Sequence, residues 1–240
     1  MQILQITLWL YGTALKKSLE CVRKNWVVSF APVAYGIVMS AVGMIAWRLG
    51  FLGGFLIGLA AQACISSGLH LIGNMIQQGK ADFDDFIKGF TVYLWELLGI
   101  AFILWIPMRL AAMALAGVPN GGLIYLMLQI AVYVFLNPVP ELVYQSRTSG
   151  LGLLSASYKF IGENWIEWFI PNVILLIGGY FLWNLVSALL LGMPGILATF
   201  IELFVLGLAL TYIMLFRGFL FAELYGSTRR SREYRFRARG

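Results

Sequence analysis

Long runs without charge dominate the chain: no Asp, Glu, Lys or Arg occurs in residues 25–47, 49–79, 110–140 or 168–201. An α-helix rises about 1.5 Å per residue, so roughly 20 apolar residues cross the hydrocarbon core of a bilayer. The three longest runs exceed one crossing, so each includes a turn or continues past the membrane edge. The pattern predicts an all-α polytopic membrane protein with about six spans, near 26–47, 53–78, 92–115, 121–145, 165–190 and 196–224. The connections 48–52, 116–120 and 191–195 are short, and each holds Gly, Pro or both. The segment from Gly117 through Pro119 and Asn120 to Gly122 has the residue types of a turn.

The other connections are longer and charged. Leu15, Leu19 and Val22 recur at helical spacing, with Lys16, Lys17, Glu20, Arg23 and Lys24 mostly on other faces. Asp82 is placed to cap a helix with the apolar face Phe83, Phe86, Ile87 and Phe90, and Leu154, Tyr158 and Ile161 form a third stripe. Such stripes fit short amphipathic helices in the headgroup layer, one ahead of each pair of spans. The alternative is that each is the frayed start of a span.

Charge placement sets the expected orientation. Lys16, Lys17, Arg23, Lys24, Lys80, Lys88, Arg147, Lys159 and six arginines of the tail lie on one side, whereas the three short turns offer Arg48 alone. The positive-inside rule therefore predicts three hairpins, each preceded by a cytoplasmic amphipathic helix, with both termini in the cytoplasm and the protein in the inner membrane. Composition agrees: 60% of the 240 residues are hydrophobic and 12% charged, against roughly 25% charged in soluble domains. The net charge of +6 is concentrated at membrane flanks, so no nucleic-acid partner is expected. Residues 1–225 read as a single transmembrane domain and 226–240 as an arginine-rich cytoplasmic tail. The apolar N-terminal stretch, without a basic flank before it or a small-residue cleavage site after it, is expected to be retained. Cys21 and Cys64 fall at different expected depths, which argues against a disulfide between them.

An internal repeat is suggested by aligning 18–33 with 157–172: Ser18, Asn25, Trp26, Phe30 and Pro32 match Ser157, Asn164, Trp165, Phe169 and Pro171 without gaps. Asn suits a helix start, Trp the membrane–water interface, and a proline beyond the first turn bends a helix. The repeat, the segment from Gly79 to Phe86, and Pro138, Pro140 and Glu141 resemble a broad group of bacterial six-helix membrane proteins. That group includes the membrane domain attached to some glycerophosphodiester phosphodiesterases. The resemblance implies a membrane module over most of the chain. The phosphodiesterase catalytic domain of the fused members has no counterpart here, so it implies no enzyme activity.

Several groups are candidates for chemistry. Gln62, Ser66, His70, Asn74 and Gln78 recur every four residues, near one face of the second span. A stripe of this kind lines a path for a substrate or lipid headgroup, or it serves as hydrogen-bonding glue between helices. Arg109 and Glu202 are expected at matching depths near the far side, and Glu141 and Arg217 in the inner halves of their spans, giving two possible ion pairs. Arg229, Arg230, Arg232, Arg235, Arg237 and Arg239 suit contact with anionic lipid, or act only as a topology signal. Asp82, Asp84 and Asp85 fit a helix cap better than a metal site. With one histidine and neither a nucleophile elbow nor a phosphate-binding glycine loop, the sequence suggests no catalysis, metal or cofactor. The leading expectation is a non-enzymatic membrane module that binds lipid or a protein partner, forms a homo-oligomer or joins a larger complex as an accessory subunit. The alternative is a permease subunit for transport with a separate ATPase, which would contact residues 81–91.

Overall fold

The computed structural model describes residues 2–146, 148–227, 231 and 234, and is helical nearly throughout. Helix α1 (Gln2–Lys24) leads through a 3-10 turn (Trp26–Phe30) into α2 (Ala31–Ala46), and a second such turn (Trp47–Leu49) leads to α3 (Phe51–Gln78). There follow α4 (Phe83–Val92), α5 (Leu94–Leu115), α6 (Gly121–Phe135), α7 (Val139–Gln145), α8 (Leu151–Leu189) and α9 (Gly195–Leu224). Among the described residues, six stretches are long and apolar enough to cross a membrane: Trp26–Leu49, Phe51–Gln78, Phe83–Leu115, Gly121–Gln145, Leu151–Leu189 and Gly195–Leu224.

These boundaries depart from the sequence expectation in informative places. Residues 2–24 form one continuous helix whose Leu10, Ala14, Ser18, Cys21 and Val22 are buried, so the apolar N-terminal stretch and the amphipathic stripe are a single element. The fourth predicted span is interrupted after Phe135, because Pro138 has no N–H to continue the helix and α7 starts anew behind it. The fifth begins well before residue 165. The preceding amphipathic segment runs into it as the 39-residue α8, broken only by the non-helical backbone of Asn164.

Helix α3 is central. In its most apolar stretch 33% of residues are buried, against 6–11% in the other five candidate spans, and it packs against α2, α4, α5, α7 and α9. Its end is set by Gly79, whose left-handed backbone (φ +78°) lets its N–H donate to the Met75 carbonyl at 3.1 Å. The main core gathers where α1, α3, α7, α8 and α9 meet, enclosing Leu142, Leu153, Trp168, Leu215, Leu220 and Phe221. Elsewhere large apolar side chains face outward, among them Ile177, Tyr180, Phe181 and Leu185 of α8. Hydrocarbon solvates such groups as well as a protein interior does, so the fold needs to enclose only its polar groups and the helices that carry them. Gly207 on α9 permits one close crossing: a Cβ there would overlap the Ser29 carbonyl in the first 3-10 turn.

Candidate functional site

The break between α6 and α7 organises a buried polar centre. Ending α6 leaves the Asn137 carbonyl without a helical partner, and it accepts a hydrogen bond from Arg217 Nη2 of α9 at 2.8 Å. The first turn of α7 carries Glu141, whose side chain is fully buried. Arg217 Nε donates to Glu141 Oε1 at 2.6 Å and Nη2 to Oε2 at 3.0 Å, a two-point carboxylate contact. The Arg217 guanidinium lies 5.1 Å from the centre of the Trp168 ring, within cation–π range. The Trp168 indole N–H in turn donates to Asn137 Oδ1 at 2.9 Å. Residues from three helices and one helix break thus share one network.

The face of α3 singled out from sequence is divided among several environments. Ser66 is buried; its Oγ donates to the Gly89 carbonyl at 2.6 Å and accepts from the Tyr93 N–H at 2.8 Å. Both partners are available because the backbone leaves helical geometry at Tyr93, between α4 and α5. Next to it, Ser67 Oγ donates to the Phe86 carbonyl at 2.8 Å and accepts from the Tyr35 hydroxyl at 3.0 Å. His70 Nε2 lies 3.3 Å from Asn74 Nδ2 and 3.9 Å from Asp85 Oδ1 of α4. No third metal-ligating side chain converges on that pair among the described residues. Gln62 lines a largely apolar cavity of about 680 Å³ with Phe55, Leu98 and Trp105, and Gln78 is exposed at the end of α3. The adjacent Gln77 makes the helix contact instead, donating to the Tyr144 carbonyl at 3.0 Å.

Close approach makes the α3–α4 seam possible. A Cβ on Gly89 would lie 2.8 Å from Ser67 Cα and 3.2 Å from His70 Cβ. Gly89→Leu is therefore expected to push α4 off α3 and cost about 1–3 kcal/mol, and Ser66→Ala, which leaves the Gly89 carbonyl and the Tyr93 N–H without the hydroxyl, to cost about 1–3 kcal/mol as well. Thermal melts of the two purified variants in detergent check both losses. Asp82 and Asp85 cap α4 reciprocally, Asp85 Oδ2 accepting from the Asp82 N–H at 2.9 Å.

Asn25 and Asn164 occupy similar local settings. Each departs from helical geometry, at φ −121°, ψ 32° and φ −132°, ψ 18°. Each is buried and donates to the carbonyl four residues earlier, Cys21 at 2.9 Å and Phe160 at 3.3 Å. Trp26 and Trp165 beside them are 52% and 58% exposed, as expected of rings placed at an interface. Pro32 opens α2, whereas Pro171 lies inside α8. Asn25 also donates to the Gly79 carbonyl at 3.1 Å and accepts from the Ala81 N–H at 3.2 Å, pinning the α3–α4 connection to the end of α1.

Other sequence expectations fare differently. No ion pair joins Arg109 to Glu202 among the described residues; Arg109 is exposed on α5, because matching depth along the chain does not bring two helix faces together. Two further carboxylates are held within the fold: Glu96 Oε1 accepts from the Gly150 N–H at 2.7 Å, and Glu167 is buried. The Tyr11 hydroxyl of α1 donates to the Glu167 carbonyl at 3.1 Å. Burial first, and then the nearby Glu167 carboxylate, push its pKa up to about 12. Arg229, Arg230, Arg232, Arg235, Arg237 and Arg239 lie outside the described residues. Sequence reasoning missed Asn137, Trp168, Ser67 and Gln77. The suggested repeat gave no signal for Trp168, whose matched position is Ser29. No protein-family model, curated protein or solved structure matches the chain.

Proposed function

We propose that this chain is a non-enzymatic integral membrane module that binds lipid or a protein partner in the cytoplasmic membrane. Both termini face the cytoplasm, the six spans pair as three hairpins, and α1, α4 and the start of α8 occupy the headgroup layer. The one-sided distribution of Lys and Arg supports this orientation. The matched settings of Asn25 and Asn164 support a duplicated unit of Asn-Trp segment and following span.

The observation that carries the reading is the internal use of the polar groups. Ser66, the second residue of the α3 stripe, is buried and bonded on both sides, and Arg217 and Glu141 hold each other between helices. This supports glue rather than a substrate path. Purification from native membranes, with mass spectrometry of everything retained, tests the reading. Stoichiometric lipid or a stable partner protein is the expected result. A co-purifying ATPase with ATP-driven flux would replace it with the permease reading, and tags on the two ends appearing on opposite membrane faces would overturn the topology.

A further inference from the structure

The end of α1, the start of α2, α3 and α4 enclose a groove of about 480 Å³. Its walls are apolar, including Val28, Ala31, Ala34, Leu71 and Phe86, while Lys24 and Lys80 stand on its lining. The rim residues Val27 and Phe83 are 62% and 73% exposed, so the opening presents apolar surface. Val28, Ala31 and Leu71 also line an adjoining cavity of about 400 Å³ bounded further along by Pro32, Tyr35, Cys64 and Leu210. From Leu71 to Cys64 is seven residues of α3, about 10 Å of helix rise, comparable to a large part of one leaflet's hydrocarbon.

We propose that this groove holds one anionic phospholipid, its phosphate between Lys24 and Lys80 and an acyl chain along the α2–α3 walls. The proposal rests on the lipid-binding reading above and assigns it a place and a ligand class. Two features select the occupant. Cations at one end and hydrocarbon walls below match a molecule that is charged at the head and apolar in the tail. The main chain that carries the cations is also held in place: Lys24 immediately precedes Asn25, and Lys80 lies between Gly79 and Ala81, the two residues to which Asn25 bonds. The latch therefore keeps the two lysine backbones side by side, with both side chains on the groove lining.

Asp82 also lines the groove, and its Oδ2 lies 3.6 Å from Lys80 Nζ. That pair is exposed on both sides, with side-chain exposures of 70% and 66%, so water screens it and Lys80 is readily drawn to a phosphate. The Asp82 carboxylate meanwhile accepts from the Asp85 N–H in the α4 capping box. Among the described residues no ion pair engages Lys24.

The test uses the full chain in nanodiscs containing either phosphatidylglycerol or phosphatidylcholine of the same acyl composition, each doped with a photoactivatable analogue of that lipid. Expected is crosslinking of phosphatidylglycerol to peptides spanning residues 24–34 and 71–86, with little from phosphatidylcholine. Each lysine contributes roughly fivefold toward an anionic headgroup. K24Q/K80Q should therefore lower this labelling by roughly tenfold or more, while K88Q, on the same helix as Phe83 and Phe86, leaves it unchanged. A34F keeps both cations and fills the groove, and should also abolish it. Circular dichroism and size-exclusion profiles confirm that each variant is folded. Equal labelling by the two lipids, or labelling indifferent to K24Q/K80Q and A34F, overturns the site. If native preparations still retain stoichiometric lipid that crosslinks elsewhere, only this site fails. If they retain neither lipid nor partner, the broader reading fails with it.

Discussion

Arg217→Met is expected to destabilise the folded protein by about 3–5 kcal/mol. Glu141 is fully buried, and both its oxygens accept from Arg217. Removing the guanidinium leaves a fully buried carboxylate without its cation, and an uncompensated buried charge is far costlier than the pair is stabilising. The Asn137 carbonyl and the Trp168 ring lose a partner in the same step. Glu141→Gln should also destabilise, while the double substitution Glu141→Gln/Arg217→Met should recover a substantial part of the loss, because no net charge remains buried. Denaturation of the four proteins in mixed detergent measures this as a double-mutant cycle. A double variant as unstable as the sum of the singles would show that the two groups act independently.

Asn25→Leu is expected to cost about 2–4 kcal/mol. The carboxamide satisfies the Gly79 carbonyl and the Ala81 N–H across the α3–α4 connection, as well as the Cys21 carbonyl of its own helix. Leucine is similar in size but leaves the Gly79 carbonyl and the Ala81 N–H unpaired, at roughly 1–3 kcal/mol for each one that stays away from water, whereas the Cys21 carbonyl keeps the main-chain N–H of residue 25 at 3.1 Å. Local loosening should accompany the global loss. Amide hydrogen exchange in residues 79–86 should rise in Asn25→Leu more than in the core of α9. Unchanged exchange there would show that the connection is held by α4 packing alone.

The two predictions concern features that differed in legibility. Charge-free runs and the position of Lys and Arg are properties of the chain itself. A bilayer imposes one requirement, about 20 apolar residues per crossing, that any sequence either meets or does not. The six long apolar helices were therefore readable before any contact was known. Pro138 and Asn164 also announced local breaks through their chemistry, although the sequence expectation ran a span through the first and started one after the second.

Pairing between helices was another matter. Arg217 and Glu141 are 76 residues apart and meet, whereas Arg109 and Glu202, at equally plausible depths, do not pair among the described residues. The α3 stripe likewise gave the positions of its polar residues but not their partners, and Ser67 and Gln77, just off the stripe, make helix contacts too. Sequence alone determined which segments hydrocarbon accepts, because transfer into lipid depends on the composition of each segment. Tertiary structure decided which polar groups find one another. That depends on the rotation of each helix about its axis and on close crossings such as those at Gly89 and Gly207, quantities set by the packing of several helices at once.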